Sequence, residues 1–203
     1  LGCSGTDAGK DTARDTSVPA QRDERADAMS GAAAVGEDSA ASSGAPTMLI
    51  VGTSLTAGLG LDPAEAYPAV LQRMSDSAGY GVRIVNAGLS GETSAGALRR
   101  LEWLLREPAA VVMIETGAND GLRGLDVDST RANLVAIVRL VKRALPAASV
   151  LLVQMEAPPN LGADYTRRFH DSYGAVAAAE GATLLPFLLE ASALLPIAVL
   201  SVA

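Results

Sequence analysis

The sequence predicts a three-layer α/β/α domain built on a central parallel sheet, and three observations predict it. From Met48 onward, short aliphatic runs of strand length alternate with longer amphipathic stretches. The runs MLIVG, AVVMIE and SVLLVQ are almost wholly aliphatic, as in strands covered on both faces. Gly, Ser, Thr and Asn collect directly after the first three runs, where open α/β sheets carry their sites.

Each element can be justified in turn. Met48–Gly52 (MLIVG) reads as a buried strand, and Ala64–Gly79 as a helix with Val70, Leu71 and Met74 on one face. Val82–Asn86 (VRIVN) is a second strand, and Ser94–Arg106 is helical, with Leu98, Leu101, Leu104 and Leu105 at helical spacing. Ala110–Glu115 (AVVMIE) is a third strand. Asp128 or Ser129 caps a helix running to Ala144, where Leu134, Ile137, Val138 and Val141 follow the i, i+3, i+4, i+7 rule. Ser149–Gln154 (SVLLVQ) is a fourth strand, Tyr165–Glu180 a helix, and Thr183–Pro186 a short fifth strand.

Composition sets outer limits. A chain of 203 residues accommodates one domain of ordinary size plus an extension. Hydrophobic residues make up 49% and aromatics only 3%, so the core is aliphatic. A net charge of −7 without any basic run argues against nucleic acid and against an anionic membrane surface. The single cysteine, Cys3, excludes an internal disulfide and a cysteine-built zinc cluster. His, Cys and carboxylate clusters of ligand type are absent from the sequence, so no metal or organic cofactor is expected.

Three segments follow from these shifts in composition. Residues 1–47 hold only Leu1, Val18, Met29 and Val35 as larger aliphatics, too few to offset the entropy of ordering, so a disordered tail is expected. Leu1-Gly2-Cys3, followed by Ser-Gly-Thr, resembles the end of a bacterial lipoprotein signal. That likeness implies a lipidated Cys3, a membrane tether, and a periplasmic or cell-envelope location. Residues 48–190 form the folded domain. Residues 191–203 (ASALLPIAVLSVA) are an atypical apolar tail, too short to span a bilayer and interrupted by Pro196.

Three loops follow the first three strands: Thr53–Gly60, Ala87–Thr93 and Thr116–Asp120. In Gly52-Thr53-Ser54 a serine directly after a buried strand sits on a tight turn at the sheet edge, with its hydroxyl exposed. Serine becomes a nucleophile when a base takes its proton and preorganised donors hold the oxyanion. The same turn alone also reads as a phosphate-binding turn or a helix cap. The Gly-Lys-Ser/Thr of a phosphate loop and the Gly-x-Gly-x-x-Gly of a dinucleotide fingerprint are both absent. Asn119 in Gly117-Ala118-Asn119-Asp120 offers an uncharged amide donor suited to an oxyanion, and equally a turn or helix cap.

Taken together, the stretches GTSLTAGLGL (52–61), NAGLSGETSAGALRRL (86–101), ETGANDGLRG (115–124) and APPNLGADYTRRF (157–169) resemble the conserved blocks of the SGNH hydrolases, or GDSL esterases. The likeness spans about residues 48–190 and points to the bacterial arylesterase, thioesterase and lysophospholipase branch. It implies a flavodoxin-like α/β/α fold and a serine esterase acting on aryl or short acyl esters, acyl thioesters or lysophospholipids. It also implies that Ser54 is the nucleophile. The backbone N–H groups of Ser54 and Gly91, with the Asn119 side chain, form the oxyanion hole, and Asp120 braces the loop.

Two departures accompany the resemblance. Thr53 stands where the family motif has Asp, a position beside the nucleophile and outside the triad. The family's catalytic Asp and His lie in an Asp-x-x-His block after a stretch resembling LLPFLLE (184–190), and no such block follows Glu190 here. The expectation is that a frame shift or truncation replaced that block and the last helix. Impaired catalysis, an uncovered sheet face and reduced stability follow. The sole histidine, His170, sits within a predicted helix, and Asp171 beside it points to another face. His170 is therefore expected to be an exposed helix residue. Two alternatives accompany the esterase reading: a carbohydrate acetylesterase on the same scaffold, and a non-catalytic acyl- or ligand-binding remnant tethered through Cys3.

Overall fold

The computed structural model describes residues 44–190. All but the last four residues of the expected tail 1–47, including Cys3, and the whole segment 191–203 lie outside the described residues. Five strands form one sheet: β1 (Thr47–Gly52), β2 (Arg83–Gly88), β3 (Val111–Ile114), β4 (Ser149–Val153) and β5 (Thr183–Leu185). Their order is β2-β1-β3-β4-β5, and every neighbouring pair is parallel. Each expected strand is present, the ends differing by one or two residues.

Six helices connect them: α1 (Ser54–Ala57), α2 (Tyr67–Ala78), α3 (Ser94–Leu104), α4 (Ala118–Leu122), α5 (Val127–Ala144) and α6 (Ala163–Glu180). The chain steps from β1 to β2 in one direction, then reverses through β3, β4 and β5. Right-handed crossovers therefore place α2 on one face of the sheet and α3, α5 and α6 on the other. The packing of α5 between α3 and α6 agrees. This is the three-layer α/β/α architecture the sequence predicts.

The core forms where the apolar stripes meet the sheet. Leu134, Ile137, Val138 and Val141 of α5 are fully buried, as their spacing requires. They join Ile50, Val112, Ile114 and Leu152 from the central strands. Few aromatics take part, but Phe169 and Tyr173 are fully buried with ring centroids 5.5 Å apart, fixing α6 against the sheet.

Three local expectations are corrected. Met74 lies on the solvent side of α2, which turns Pro68, Leu71 and Ser75 inward, residues that share one face at i, i+3 and i+7. Asp126 caps α5 in place of Asp128 or Ser129, its carboxylate accepting the Ser129 N–H at 2.8 Å. The loops after β1 and β3 each contain a short helix, α1 and α4. The first turn of α4 begins behind Gly117 at φ 99°, a left-handed conformation that glycine adopts without strain.

Candidate active site

A parallel sheet whose strand order reverses leaves a crevice beyond the carboxyl ends of the strands at the reversal. Here the reversal lies at β1, whose neighbours β2 and β3 are reached in opposite directions. Ser54 follows β1, Gly91 follows β2, and Asn119 follows β3, so the topology brings all three predicted site residues to this one edge.

Ser54 is the first residue of α1 and is half-buried. An amide at that position has no partner within its own helix. The residues on either side of it are tightly held. Glu115, fully buried just beyond β3, accepts the Thr53 N–H at 2.8 Å and the Thr53 hydroxyl at 2.7 Å. It also accepts the Thr56 N–H at 3.2 Å and the Thr56 hydroxyl at 2.7 Å. Since that hydroxyl proton is spent on Glu115, the Tyr67 hydroxyl donates to Thr56 Oγ1 across 2.8 Å. Burial, and next to it the charge of Glu115, raises the Tyr67 phenol above its ordinary range against the lowering effect of the Thr56 hydrogen bond.

The second loop locks onto the first. Asn86 Nδ2 donates to the Thr56 carbonyl at 2.9 Å, and its Oδ1 accepts the Gly88 N–H at 2.9 Å. A Cβ at Gly88 would stand 2.3 Å from the Ala57 nitrogen, so only glycine allows this approach. Arg100 of α3 draws three segments together. Its guanidinium holds Glu92 through a two-pronged ion pair at 2.7–2.9 Å and donates to the Ala87 carbonyl at 2.8 Å and to the Gly52 carbonyl at 3.4 Å. Gly91, at φ 78°, turns the chain just before Glu92, and its carbonyl accepts from Arg123 at 3.0 Å.

The third loop closes the constellation. Asn119 Nδ2 donates to the Glu92 carbonyl at 3.0 Å, tying α4 to the residue after Gly91. A carboxamide carries two N–H donors, so one remains for a ligand. Asp120 faces the other way and is buried. It accepts the Ser94 N–H at 2.8 Å, the Ser94 hydroxyl at 2.6 Å and the Thr130 hydroxyl at 3.3 Å. That is the bracing role the resemblance implied. Beneath it, the Tyr173 hydroxyl donates to the Thr116 carbonyl at 2.9 Å.

His170 stands apart from this group. Its side chain is 55% exposed on α6, and its Nδ1 pairs with Glu156 at 2.7 Å, with the Gln154 amide 3.4 Å away. These residues line a separate cleft of about 510 Å³ beyond β4 and β5, with Leu184, Leu185, Pro186 and Phe187 as its apolar wall. Among the described residues, no hydrogen bond links His170 to Ser54. Asp171 is not its partner, as adjacency on a helix predicts.

Sequence reasoning missed four participants. Glu115 passed as the end of a strand, although an acid closing an all-aliphatic run is a signal of buried hydrogen bonding. The Glu92–Arg100 pair spans a loop and the following helix and shows no short spacing. Glu156 reaches His170 from fourteen residues away, a pairing that the fold alone creates.

With that geometry established, comparisons assign the class. The GDSL-like Lipase/Acylhydrolase family matches residues 50–198. Esterase TesA of Pseudomonas aeruginosa is 46% identical over 147 residues, 72% of this chain and 72% of its own length. Thioesterase 1/protease 1/lysophospholipase L1 of Escherichia coli K12 is 39% identical over 147 residues, covering 72% of this chain and 68% of its own. The crystal structure of AlinE4, an SGNH-hydrolase family esterase, superposes with a TM-score of 0.69 at 42% identity, over 75% of this chain and 81% of its own. The chain thus belongs to the GDSL-like lipase/acylhydrolase, or SGNH hydrolase, family, whose members are carboxylic ester hydrolases.

Proposed function

We propose that Ser54 is the nucleophile of a serine esterase, and that Gly91 and Asn119 complete its oxyanion hole. The observation that carries this reading is the second N–H of Asn119, left over once the first is used on the Glu92 carbonyl beside Gly91. In the reaction, the Ser54 hydroxyl yields its proton to a base as Oγ bonds to the acyl carbon. The carbonyl oxygen becomes an oxyanion held by the N–H groups of Ser54 and Gly91 and by Asn119 Nδ2. Collapse breaks the bond to the alcohol or thiol, which leaves with a proton. Water then attacks the acyl-serine, releasing the acid and restoring Ser54. Aryl esters, short acyl esters, acyl thioesters and lysophospholipids are the substrate classes in view.

The proposal extends to the base. The 203-residue sequence contains one histidine, and it is engaged by Glu156 in the other cleft. Ser54 therefore works without an imidazole aimed at it, and turnover by this chain is slow. This same observation favours the second reading, an acyl-binding remnant on an esterase scaffold. Attachment to a membrane through Cys3 rests on the Leu1-Gly2-Cys3 motif alone, and metabolic lipid labelling lost in Cys3→Ser is its test.

Intact-mass and peptide mass spectrometry after exposure to p-nitrophenyl butyrate, with and without added imidazole, test the nucleophile. A butyryl group on the Ser54 peptide is the expected result. Acyl transfer to other residues only, or none under either condition, would overturn the assignment.

A further inference from the structure

We propose that Glu115 is a positioning residue for the nucleophile turn, acting through Thr53 and Thr56; this rests on the reading of Ser54 as nucleophile. A carboxyl group removed from water is stabilised only by a full set of donors. Glu115 has four, and they come in two matched pairs: an N–H and a hydroxyl from the residue before Ser54, and an N–H and a hydroxyl from the second residue after it. No other buried acid of the described domain spans a candidate catalytic residue in this way.

The arrangement fixes Ser54 in three ways. It holds the amide planes on both sides of α1's first turn, so the Ser54 N–H and side chain have one direction. It crosses from β3 to the end of β1, referring the turn to the rigid sheet rather than to a loop. It also leaves no slack, since a Cβ at Gly52 would meet Thr56 Oγ1 at 1.9 Å and Glu115 Oε2 at 2.7 Å. Oε1 is held by the Thr53 hydroxyl, and Oε2 by three donors. Thr53 is therefore more than a tolerated replacement for the acid that the motif carries at that position. Among the described residues its hydroxyl is the sole hydrogen-bonding hold on one carboxylate oxygen.

The exchange Glu115→Gln keeps the shape of the side chain but removes its charge, and with its oxygen left to the three donors its amide nitrogen reverses the hydrogen bond to the Thr53 hydroxyl. Thr53→Val removes one hydroxyl and keeps the volume, while Thr53→Ser keeps the hydroxyl. Two readouts are taken on the full chain: Ser54 labelling by a p-nitrophenyl alkylphosphonate in imidazole buffer, and the backbone amide resonances of 15N-labelled protein. Labelling by Glu115→Gln should slow by about 10²-fold, the scale set by a 1 Å misplacement at a reacting centre. Thr53→Val should slow less, and Thr53→Ser should match the parent. The Ser54 and Leu55 amide resonances should move in Glu115→Gln and Thr53→Val, with those of α5 and α6 unchanged.

A merely structural role predicts lower melting temperatures with parental labelling rates and unmoved Ser54 and Leu55 amides in the folded variants; that result overturns the proposal. Should Glu115→Gln fail to fold, the Thr53→Val and Thr53→Ser pair decides alone. Should the parent label no faster than Ser54→Ala, the nucleophile reading fails. The amide resonances then still decide whether Glu115 sets the turn.

Discussion

Asp120 accepts both the amide and the hydroxyl of Ser94, at 2.8 and 2.6 Å, where both residues are buried. This places the carboxylate at the start of α3 and behind the candidate oxyanion donor Asn119, holding two site-forming loops in register. Removing the acceptor strands two buried donors, each costing about 1–3 kcal/mol. Asp120→Ala should therefore destabilise the domain by about 2–4 kcal/mol in urea unfolding. Asp120→Asn, which retains one acceptor oxygen, should lose less.

The Glu92–Arg100 pair makes a related prediction for the second loop. Glu92 is nearly buried, with 6% side-chain exposure against 24% for Arg100. Arg100→Met leaves that carboxylate without its partner and frees the Ala87 carbonyl. A loss of about 3 kcal/mol is expected by the same measurement, the cost typical of breaking one side of a buried pair. Arg100→Lys restores the charge without the two-pronged geometry and should recover only part of it.

Glycine positions can be ranked from what a side chain would strike. A Cβ at Gly88 meets backbone at Ala57, 2.3 Å away, whereas at Gly60 it meets open space. Gly88→Ala should cost about 3 kcal/mol or more, since the fixed backbone cannot yield as a side chain can. Purified yield and thermal midpoint of Gly88→Ala against the parent check this. An unchanged midpoint would contradict the close dovetailing of the first two loops.

Much of this was legible beforehand. The stripe on α5 and the aliphatic runs of the strands named their own elements, since apolar spacing reports which face is buried. That three strand-following loops share one edge of a parallel sheet was legible from the pattern, whereas Ser54, Gly91 and Asn119 as a set came from the likeness of those stretches to the SGNH hydrolases. Glu115 was not, because its partners lie about sixty residues away and its value depends on burial, which sequence does not display. Met74 misled for the opposite reason. Apolarity alone placed it inward, while the side of α2 that meets the sheet carries Pro68, Leu71 and Ser75, about a quarter of a turn away.

Alkaline stability follows from two buried phenols. Burial, reinforced by Asp120, Glu115 and Glu156, raises the Tyr173 phenol well above its ordinary range, and burial raises Tyr67. The folded chain thus keeps both phenol protons to higher pH than the unfolded chain. Their contribution to stability is complete below about pH 10 and is lost as pH rises through the folded values. Urea midpoints measured between about pH 8 and 11 should fall beyond pH 10, and Tyr173→Phe should flatten that fall. A parent midpoint that stays level would contradict it.

The central proposal is that Ser54 is the nucleophile and that the one histidine of the 203-residue sequence, His170, is held away from it by Glu156. In triads, losing the base and losing the serine cost about the same, and the residual catalysis of about 10³–10⁴-fold over water comes from the oxyanion hole and binding. The most direct measurement is hydrolysis of p-nitrophenyl butyrate by the 203-residue chain and by Ser54→Ala, across a series of imidazole concentrations. Without imidazole the two proteins should be equally slow. With it, the parent alone should accelerate, after subtraction of the imidazole blank. Fast hydrolysis by the parent in the absence of imidazole, abolished in Ser54→Ala, would contradict the missing base, and equal rates at every imidazole concentration would contradict Ser54 as nucleophile.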